Sequence, residues 1–306
     1  MRIFLTGISG YVGQILAEDL SRLSEVDSIT GIDTVAPTFP LPPKVTFIQM
    51  DIRSPDVAGV MTGHDTVIHA GFVVLWEARM PARERLDINM RGTENVALAA
   101  VRNKVARFIY ISSMAAYDFR RIHRQSDVSE DFPLGTDNPY FYYWHDKGAA
   151  ERIVEKIIGP SSATLTMFRA PYIIGPRNRV TVEGFRKNGV RFPTKNPRAQ
   201  FVQEQDVTDA FARALSGTIK GVFNLCPDDC ATLSEILEVV GKKNPPIIPV
   251  FLAQFIVYIQ WRFFNAPIHP SWVGEALGDF TLSNKKLKGT GWKPRFKTLE
   301  ALSSAL

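Results

Sequence analysis

A glycine-rich turn follows the first apolar segment and constrains the fold more than any other feature of the chain. Ile3-Phe4-Leu5 leads into Gly7-Ile8-Ser9-Gly10-Tyr11-Val12-Gly13, a G-x-x-G-x-x-G pattern. Because glycine has no Cβ, the backbone can turn sharply out of a strand and approach a pyrophosphate closely. A helix predicted over 12–22 then points its N-terminal N–H groups at the phosphates. The pattern predicts a dinucleotide site; an ordinary strand-to-helix turn is the alternative.

Composition indicates a folded globular chain with a large core. Of its 306 residues, 45% are hydrophobic and 22% are charged, which is unlike the composition of disordered proteins. The net charge of +5 is too mild for a nucleic-acid surface and suits an anionic substrate or cofactor instead. Cys226 and Cys230 have no histidine partners nearby, so we expect free thiols in a reducing compartment and no metal site.

The sequence shows no segment that suggests export or insertion into a membrane. The first predicted strand begins at once, with no signal peptide before it. The longest apolar stretch, at 250–261, is too short and too interrupted to span a bilayer. We therefore expect a cytoplasmic protein.

Strand-like and helix-like segments alternate through the first half of the chain. Six apolar segments are predicted strands: 2–6, 27–33, 45–49, 65–70, 107–112 and 164–169. Helical patterns lie between them at 12–22, 81–103 and 141–158. Near-continuous apolar strands suit a parallel sheet that is covered on both faces. The alternation predicts an α/β fold with a doubly wound parallel sheet of the Rossmann type.

The alternation breaks down after residue 170, where proline, glycine and basic residues fill 171–197. Helices are predicted over 206–215 and 233–240, and a strand over 221–225. We expect a dinucleotide-binding domain over 1–170 and a smaller lobe over 171–306 that builds the substrate pocket. Segments at about 199–225 are expected to return to the sheet.

Tyr143 and Lys147 are four residues apart in a predicted helix, so both side chains lie on one face. An ammonium near a phenol lowers the pKa of the phenol, which favours proton exchange with an alcohol oxygen during hydride transfer. Ser112 and Ser113 follow the fifth predicted strand, at the edge where such sheets bind ligands. A surface ion-pair spacing and a serine turn are the alternatives. His145 and Asp146 are expected to point away from the Tyr–Lys face and take no part.

These features together resemble the extended short-chain dehydrogenase/reductase superfamily, which contains NAD-dependent sugar epimerases, dehydratases and 3β-hydroxysteroid-type dehydrogenases. The resemblance covers essentially the whole chain. Besides the glycine loop and the Tyr–Lys pair, it rests on these segments: Asp51-Ile52, His69-Ala70-Gly71, Asn89-x-x-Gly92-Thr93-x-Asn95-Val96, Ser112-Ser113-x-x-x-Tyr117, Phe168–Pro176, Phe201-Val202-x-x-x-Asp206-Val207 and Gly291-Trp292-x-Pro294.

The resemblance implies an NAD-dependent oxidoreductase that transfers a hydride between the nicotinamide and a secondary alcohol or ketone. In it Tyr143 is the acid/base, Lys147 orients the nicotinamide ribose, and Ser113 positions the substrate oxygen. A homodimer through the helices near 81–103 and 141–158 is also implied. Implied cofactor contacts are Gly7, Gly10, Tyr11, Val12, Gly13, Asp33, Asp51, Ile52, His69, Ala70, Gly71, Asn89, Ser112, Tyr143, Lys147, Pro171 and Tyr172.

Asp33 ends the second predicted strand, near the acidic position that follows such glycine loops. Its carboxylate is expected to accept hydrogen bonds from the adenosine ribose and to repel the 2′-phosphate of NADP. Neither Thr34 nor Val35 supplies a compensating cation, although Arg53 could fold toward the adenine. We therefore expect NAD as the cofactor.

Departures from the family pattern bear on the substrate. Ala199 stands where nucleotide-sugar enzymes of the family commonly place an arginine, and the segments at 72–76 and 250–264 are strongly apolar. We therefore expect an apolar small-molecule substrate. One alternative is a nucleotide-sugar epimerase or dehydratase with tightly bound NAD, in which the basic loop at 177–191 holds the diphosphate. Another is a non-catalytic NAD-binding sensor.

Overall fold

A computed structural model describes residues 1–135 and 138–306. The strands in these ranges are β1 (Arg2–Thr6), β2 (Ser28–Asp33), β3 (Val45–Gln49), β4 (Thr66–His69), β5 (Arg107–Ser113), β6 (Thr164–Ala170), β7 (Tyr172–Ile174), β8 (Arg198–Ala199), β9 (Phe201–Gln203), β10 (Gly221–Asn224) and β11 (Ala231–Thr232).

The helices in the same ranges are α1 (Tyr11–Leu20), α2 (Val57–Val60), α3 (Ala82–Arg102), α4 (Phe119–Ile122), α5 (Tyr142–Ile158), α6 (Arg179–Asn188), α7 (Glu204–Leu215), α8 (Leu233–Val239), α9 (Val250–Phe264), α10 (Ser271–Glu275), α11 (Lys285–Lys288) and α12 (Thr298–Ser303). A 3₁₀ turn at Met114–Ala116 follows β5. No described helix is both long and apolar enough to cross a membrane.

Seven of the described strands form one parallel sheet in the order β10-β6-β5-β4-β1-β2-β3. The chain moves outward from β1 to β3 and then returns to the other side of β1 at β4. In open parallel sheets a ligand crevice lies outside the carboxyl ends of the strands at such a reversal. The predicted doubly wound α/β fold is confirmed, and the six predicted strands differ from β1–β6 by at most one residue at either end.

Helices cover both faces of the sheet, which explains why its strands are apolar on both sides. The first face packs against α1 and α7 through buried residues such as Ile15, Leu16 and Phe211. The opposite face packs against α3 and α5 through Val96, Val154 and Ile158. This two-sided burial fixes the sheet in the middle of the molecule, so the loops at its carboxyl edge are the part available for a ligand.

Candidate active site

The glycine loop runs from the end of β1 to α1 and fits closely against neighbouring backbone. Gly7 has a φ of +75°, and its N–H donates to the Ile32 carbonyl at 2.9 Å. A Cβ at Gly7 would lie 2.6 Å from the Gly71 nitrogen, and one at Gly13 would lie 2.0 Å from the Gly7 oxygen. Larger side chains are therefore excluded from the turn at both positions.

Gly10 differs from the other two glycines because it faces outward. It is the N-cap residue of α1, and no side chain caps the helix there. An added Cβ would approach only the Gly7 oxygen, at 3.4 Å. An uncapped helix N-terminus beside a surface without side chains fits an anionic pyrophosphate, because the terminal N–H groups and the helix dipole both favour negative charge.

Asp33 lies beside this loop at the end of β2. Its Oδ2 accepts a hydrogen bond from the Ser9 N–H at 3.1 Å, and its Oδ1 accepts one from the Val35 N–H at 3.4 Å. The basic candidate of this region, Arg53, is held elsewhere: it pairs with Asp51 at 2.7 Å and Asp87 at 2.9 Å. Arg53 therefore does not pair with the carboxylate of Asp33.

His69 ends β4 and is completely buried. Its Nδ1 is 2.7 Å from the Thr6 hydroxyl, and its Nε2 is 3.1 Å from the Thr93 hydroxyl. Burial, together with the nearby Lys147, lowers the pKa of His69 to about 3, so the ring is neutral at physiological pH. The side chain acts as a structural link between β1, β4 and α3, and the loop after it begins with Ala70 and Gly71.

Lys147 is buried on α5 beneath the carboxyl ends of the strands. Its Nζ donates to the Ile111 carbonyl at 3.1 Å and to the Tyr110 hydroxyl at 3.4 Å, and it lies 3.9 Å from the centre of the Phe72 ring. Burial lowers the pKa of Lys147 to about 7, against an opposing effect of Glu151. The amine therefore lies beside the end of β5, in an environment that penalises its charge.

Tyr143 lies one turn before Lys147 and is only partly buried. The Trp272 ring stacks on it with a centroid distance of 5.4 Å and an angle of 24°, and Phe72 approaches it edge-on at 6.3 Å. Ser113 ends β5 and begins the 3₁₀ turn that packs against α5. The structure thus brings the sequence-predicted Ser113, Tyr143 and Lys147 to one edge of the sheet.

The neighbouring serine has a different environment. Ser112 donates to the Glu151 carboxylate, which also binds the Arg169 guanidinium at 2.7 Å. All three side chains are buried, and Arg169 is the β6 residue in register with Ser112. Because successive residues of a strand face opposite ways, this anchor under Ser112 orients Ser113 toward the other face.

Asp146 has a structural role that the sequence did not suggest, whereas its expected absence from the Tyr–Lys chemistry stays a prediction. Its side chain is completely buried between α5 and α3. It pairs with Arg85 and accepts a hydrogen bond from the Asn89 amide at 3.1 Å. Asn89 also bonds both backbone groups of Val73, at 2.8 and 3.2 Å. The carboxylate thus connects the Tyr–Lys turn to the loop after β4.

Next to Tyr143 lies a group of packed side chains that we call the aromatic wall. It consists of Trp76, Tyr142, Trp261, His269 and Trp272. The Trp261 N–H donates to the Trp76 carbonyl at 2.6 Å, and the Trp272 N–H donates to the Tyr142 hydroxyl at 3.0 Å. His269 stacks on Trp76 at 5.0 Å. Sequence reasoning missed Trp272, because 129 positions separate it from Tyr143 and no motif marks it.

A cleft opens between the end of β5 and the second half of the chain. Its lining is mainly apolar and comprises Met114, Tyr172, Phe185, Pro197, Arg198, Ala199, Gln200, Phe201, Leu233, Ile236, Ala276, Gly278 and Phe280. The one charged side chain among these described residues, Arg198, pairs with Asp279 at 2.7 Å. The cleft therefore presents little uncompensated charge.

Comparison with known proteins agrees with this geometry. A family model described as the NAD dependent epimerase/dehydratase family matches residues 3–226. The uncharacterized protein y4nG of Sinorhizobium fredii is 24% identical over 319 residues, covering 97% of this chain and 76% of that protein.

Solved structures share the fold at low identity. The UDP-glucose 4-epimerase of Thermotoga maritima, solved with UDP-glucose, has a TM-score of 0.77 at 18% identity, covering 100% of this chain and 97% of that chain. The Bordetella bronchiseptica enzyme WbmG, solved with NAD, has a TM-score of 0.76 at 19% identity and covers 100% and 92%. The expected superfamily and NAD as its cofactor are confirmed, and the chain belongs to the NAD-dependent epimerase/dehydratase family.

Proposed function

We propose that this protein is an NAD-dependent oxidoreductase whose substrate is a small apolar secondary alcohol or ketone. The observation that carries the proposal is the position of Tyr143, between Lys147 on one side and the aromatic wall on the other. Lys147 and Ser113 supply the polar groups that alcohol oxidation requires. The wall supplies an apolar surface, which suits a ligand without charge.

The residues of the glycine loop and Asp33 would hold the adenosine and pyrophosphate of NAD. Asp51, Ile52, Ala70, Gly71, Pro171 and Tyr172 remain predicted contacts of the same cofactor. His69, Asn89 and Ser112 face inward in this structure, so we expect their side chains to position the surrounding backbone. NAD, when bound, takes up or supplies the hydride of the reaction.

The chain's own residues would manage the proton. Tyr143 exchanges it with the substrate oxygen, since a phenol can act as acid or base at that atom. The Lys147 ammonium favours the phenolate by its charge and donates to the nicotinamide ribose. The Ser113 hydroxyl donates to the substrate oxygen and fixes its distance from Tyr143. Asp146, through Asn89 and Arg85, keeps α5 in register with the loop at Val73.

Two arginines that are already paired with carboxylates argue against a nucleotide-sugar substrate. Arg198, the cation nearest the position where the family commonly has an arginine, is neutralised by Asp279. Arg177, the first basic residue of the loop at 177–191, lies within 3.4 Å of Glu18, Asp19 and Glu204. Both cations would have to give up these carboxylates before they could bind a diphosphate.

Titration calorimetry with the NAD-loaded protein distinguishes the two substrate classes. We expect no measurable binding of UDP, UDP-glucose or GDP, and turnover with apolar secondary alcohols such as cyclic or steroidal ones. Micromolar binding of a nucleotide or nucleotide sugar would instead favour an epimerase or dehydratase. Tight NAD binding without turnover across an alcohol and ketone panel would favour the sensor alternative. A homodimer through α3 and α5 and a cytoplasmic location remain predictions.

A further inference from the structure

Helix α9 presents apolar side chains to solvent along its whole length. Phe251, Phe255, Phe263 and Phe264 are 72%, 59%, 69% and 77% exposed, and Leu252 and Ile256 are exposed as well. Ala253 is the one buried residue of this fully described helix, and Arg262 is its one charged residue. An exposed surface of this kind usually marks a site of contact with a protein or a membrane.

The charged residues of the sequence segment that contains α9 are all basic, and one carboxylate from outside the segment, Glu77, meets the C-terminal end of α9 through Asn265 at 3.1 Å. Residues 239–274 contain no aspartate or glutamate, whereas they contain Lys242, Lys243 and Arg262. The segment before α9 also joins the basic loop: the Arg191 N–H donates to the Pro246 carbonyl at 2.9 Å, and Ile248 N–H donates back to the Arg191 carbonyl at 2.9 Å. Arg191 and Lys243 are exposed.

This combination of an apolar, phenylalanine-rich helix with neighbouring lysines and arginines fits the boundary between headgroups and acyl chains of an anionic bilayer. Fifteen residues span about 22 Å at 1.5 Å per residue, which is shorter than the hydrocarbon core. The helix would therefore lie in the plane of the membrane surface rather than cross it. A second copy of the chain would leave the excess of positive charge without a counterpart.

The exposed helix is physically continuous with the candidate active site. Trp261 of α9 donates to the Trp76 carbonyl at 2.6 Å. Helix α10 packs against α9 and carries Trp272, whose ring stacks on Tyr143. One aromatic wall thus has α9 at its outer side and the candidate catalytic tyrosine at its inner side.

We propose that α9 docks on the surface of an anionic lipid bilayer and that the site takes its apolar substrate from the membrane. The docking is inferred from the exposed apolar side chains of α9 and from the basic residues on and near this helix. The origin of the substrate also rests on the proposed function.

Vesicle flotation without NAD or substrate tests the docking by itself. The full chain is mixed with vesicles of phosphatidylcholine and phosphatidylglycerol at 3:1, or with phosphatidylcholine alone. We expect binding to the anionic vesicles and at least about tenfold weaker binding to the neutral ones, because the lysines and arginines near α9 are attracted to anionic headgroups. High salt should weaken the binding.

Two double variants locate the contact. Phe251→Asn with Phe255→Asn should reduce vesicle binding by at least about tenfold, since each phenylalanine loses apolar burial. Leu41→Asn with Leu306→Asn, which alters two exposed apolar residues outside α9, should leave it unchanged. NADH binding, followed by fluorescence, should be retained in both double variants, which separates docking from the cofactor site.

Wild-type protein that stays unbound with anionic vesicles would overturn the proposal. An equal loss of vesicle binding in both double variants would also overturn the proposal. A change from dimer to monomer on light scattering in the α9 variant, without vesicle binding by wild type, would assign α9 to self-association instead. Failure of the proposed function would show separately, as retained vesicle binding without NADH binding or turnover.

Discussion

The two sides of the Tyr143–Lys147 turn are held in different ways. On the cofactor side, buried polar groups are hydrogen-bonded: His69 to two threonines, and Lys147 to the Ile111 carbonyl and the Tyr110 hydroxyl. On the substrate side, aromatic rings stack on one another, and the wall continues into the exposed helix α9. Buried polar networks fix one geometry because an unpaired member is costly, whereas apolar contacts tolerate changes of shape. A family can therefore keep the first side and vary the second.

The largest expected effect is on turnover, in a variant of Tyr143, which lies between the cofactor side and the substrate side. Tyr143→Phe removes the proton that the substrate oxygen needs, so turnover should fall by about 10²–10⁴. NADH affinity should change little, because the ring and its stacking on Trp272 remain. Steady-state rates with the best substrate and NADH fluorescence titration measure both effects, with Tyr258→Phe on α9 as the control. Turnover within threefold of wild type would show that this tyrosine is not the acid/base.

Asp33, on the cofactor side, is expected to determine the preference for NADH over NADPH. Its carboxylate should repel the 2′-phosphate of NADPH by a few kcal/mol, so NADH should bind about 100-fold more tightly than NADPH. Arg53 does not offset this repulsion, because it pairs with Asp51 and Asp87. Asp33→Ala should narrow the ratio of dissociation constants, whereas Asp56→Ala, on an exposed turn, should leave it unchanged. Equal affinities of the wild-type protein for NADH and NADPH would show that Asp33 does not discriminate between the two cofactors.

We expect the burial of Lys147 to lower the stability of the folded, cofactor-free protein. Burial lowers its pKa from 10.5 to about 7, so between these values the unfolded chain holds a proton that the folded chain has lost. Stability contributed by this group therefore rises with pH from about 7 toward 10.5. Below pH 7 both states are charged, and the folded state bears the full cost of the buried ammonium.

Lys147→Met should accordingly stabilise the cofactor-free protein by about 1–3 kcal/mol at pH 6, and by less at pH 9.5. The same variant should bind NADH about tenfold more weakly, because the ribose loses a charged donor. Denaturant unfolding at the two pH values measures the first effect, with exposed Lys156→Met as the control. A variant less stable than wild type at pH 6 would show that the hydrogen bonds to Ile111 and Tyr110 outweigh the cost of burial.

The sequence predicted the cofactor side better than the substrate side for a physical reason. The glycine turn, the strands and the Tyr–Lys spacing are local patterns with a fixed geometric meaning, so their positions can be assigned residue by residue. The contacts of Asp146 were not foreseen, because helical spacing gives its direction relative to Tyr143 but does not identify the arginine of α3 that pairs with it. Trp272 and Asp279 act on residues more than 80 positions away, and no local pattern encodes those contacts.

The smallest expected effect concerns the ion pair that separates the two substrate classes. Arg198 and Asp279 are 33% and 42% exposed, and pairs of this kind contribute at most about 1 kcal/mol to stability. Asp279→Asn should thus hardly change the free energy of unfolding, yet it frees the Arg198 guanidinium beside the cleft. We expect weak UDP binding to become detectable in this variant, because a guanidinium binds phosphate oxygens by charge-assisted hydrogen bonds. Arg198→Ala with Asp279→Asn is the matched control and should abolish the gain while leaving turnover of an apolar substrate within about twofold. Calorimetric titration of UDP into the three NAD-loaded proteins measures these affinities. Strong UDP binding by the wild-type protein that is lost in the double variant would show that the Arg198–Asp279 pair opens for a diphosphate.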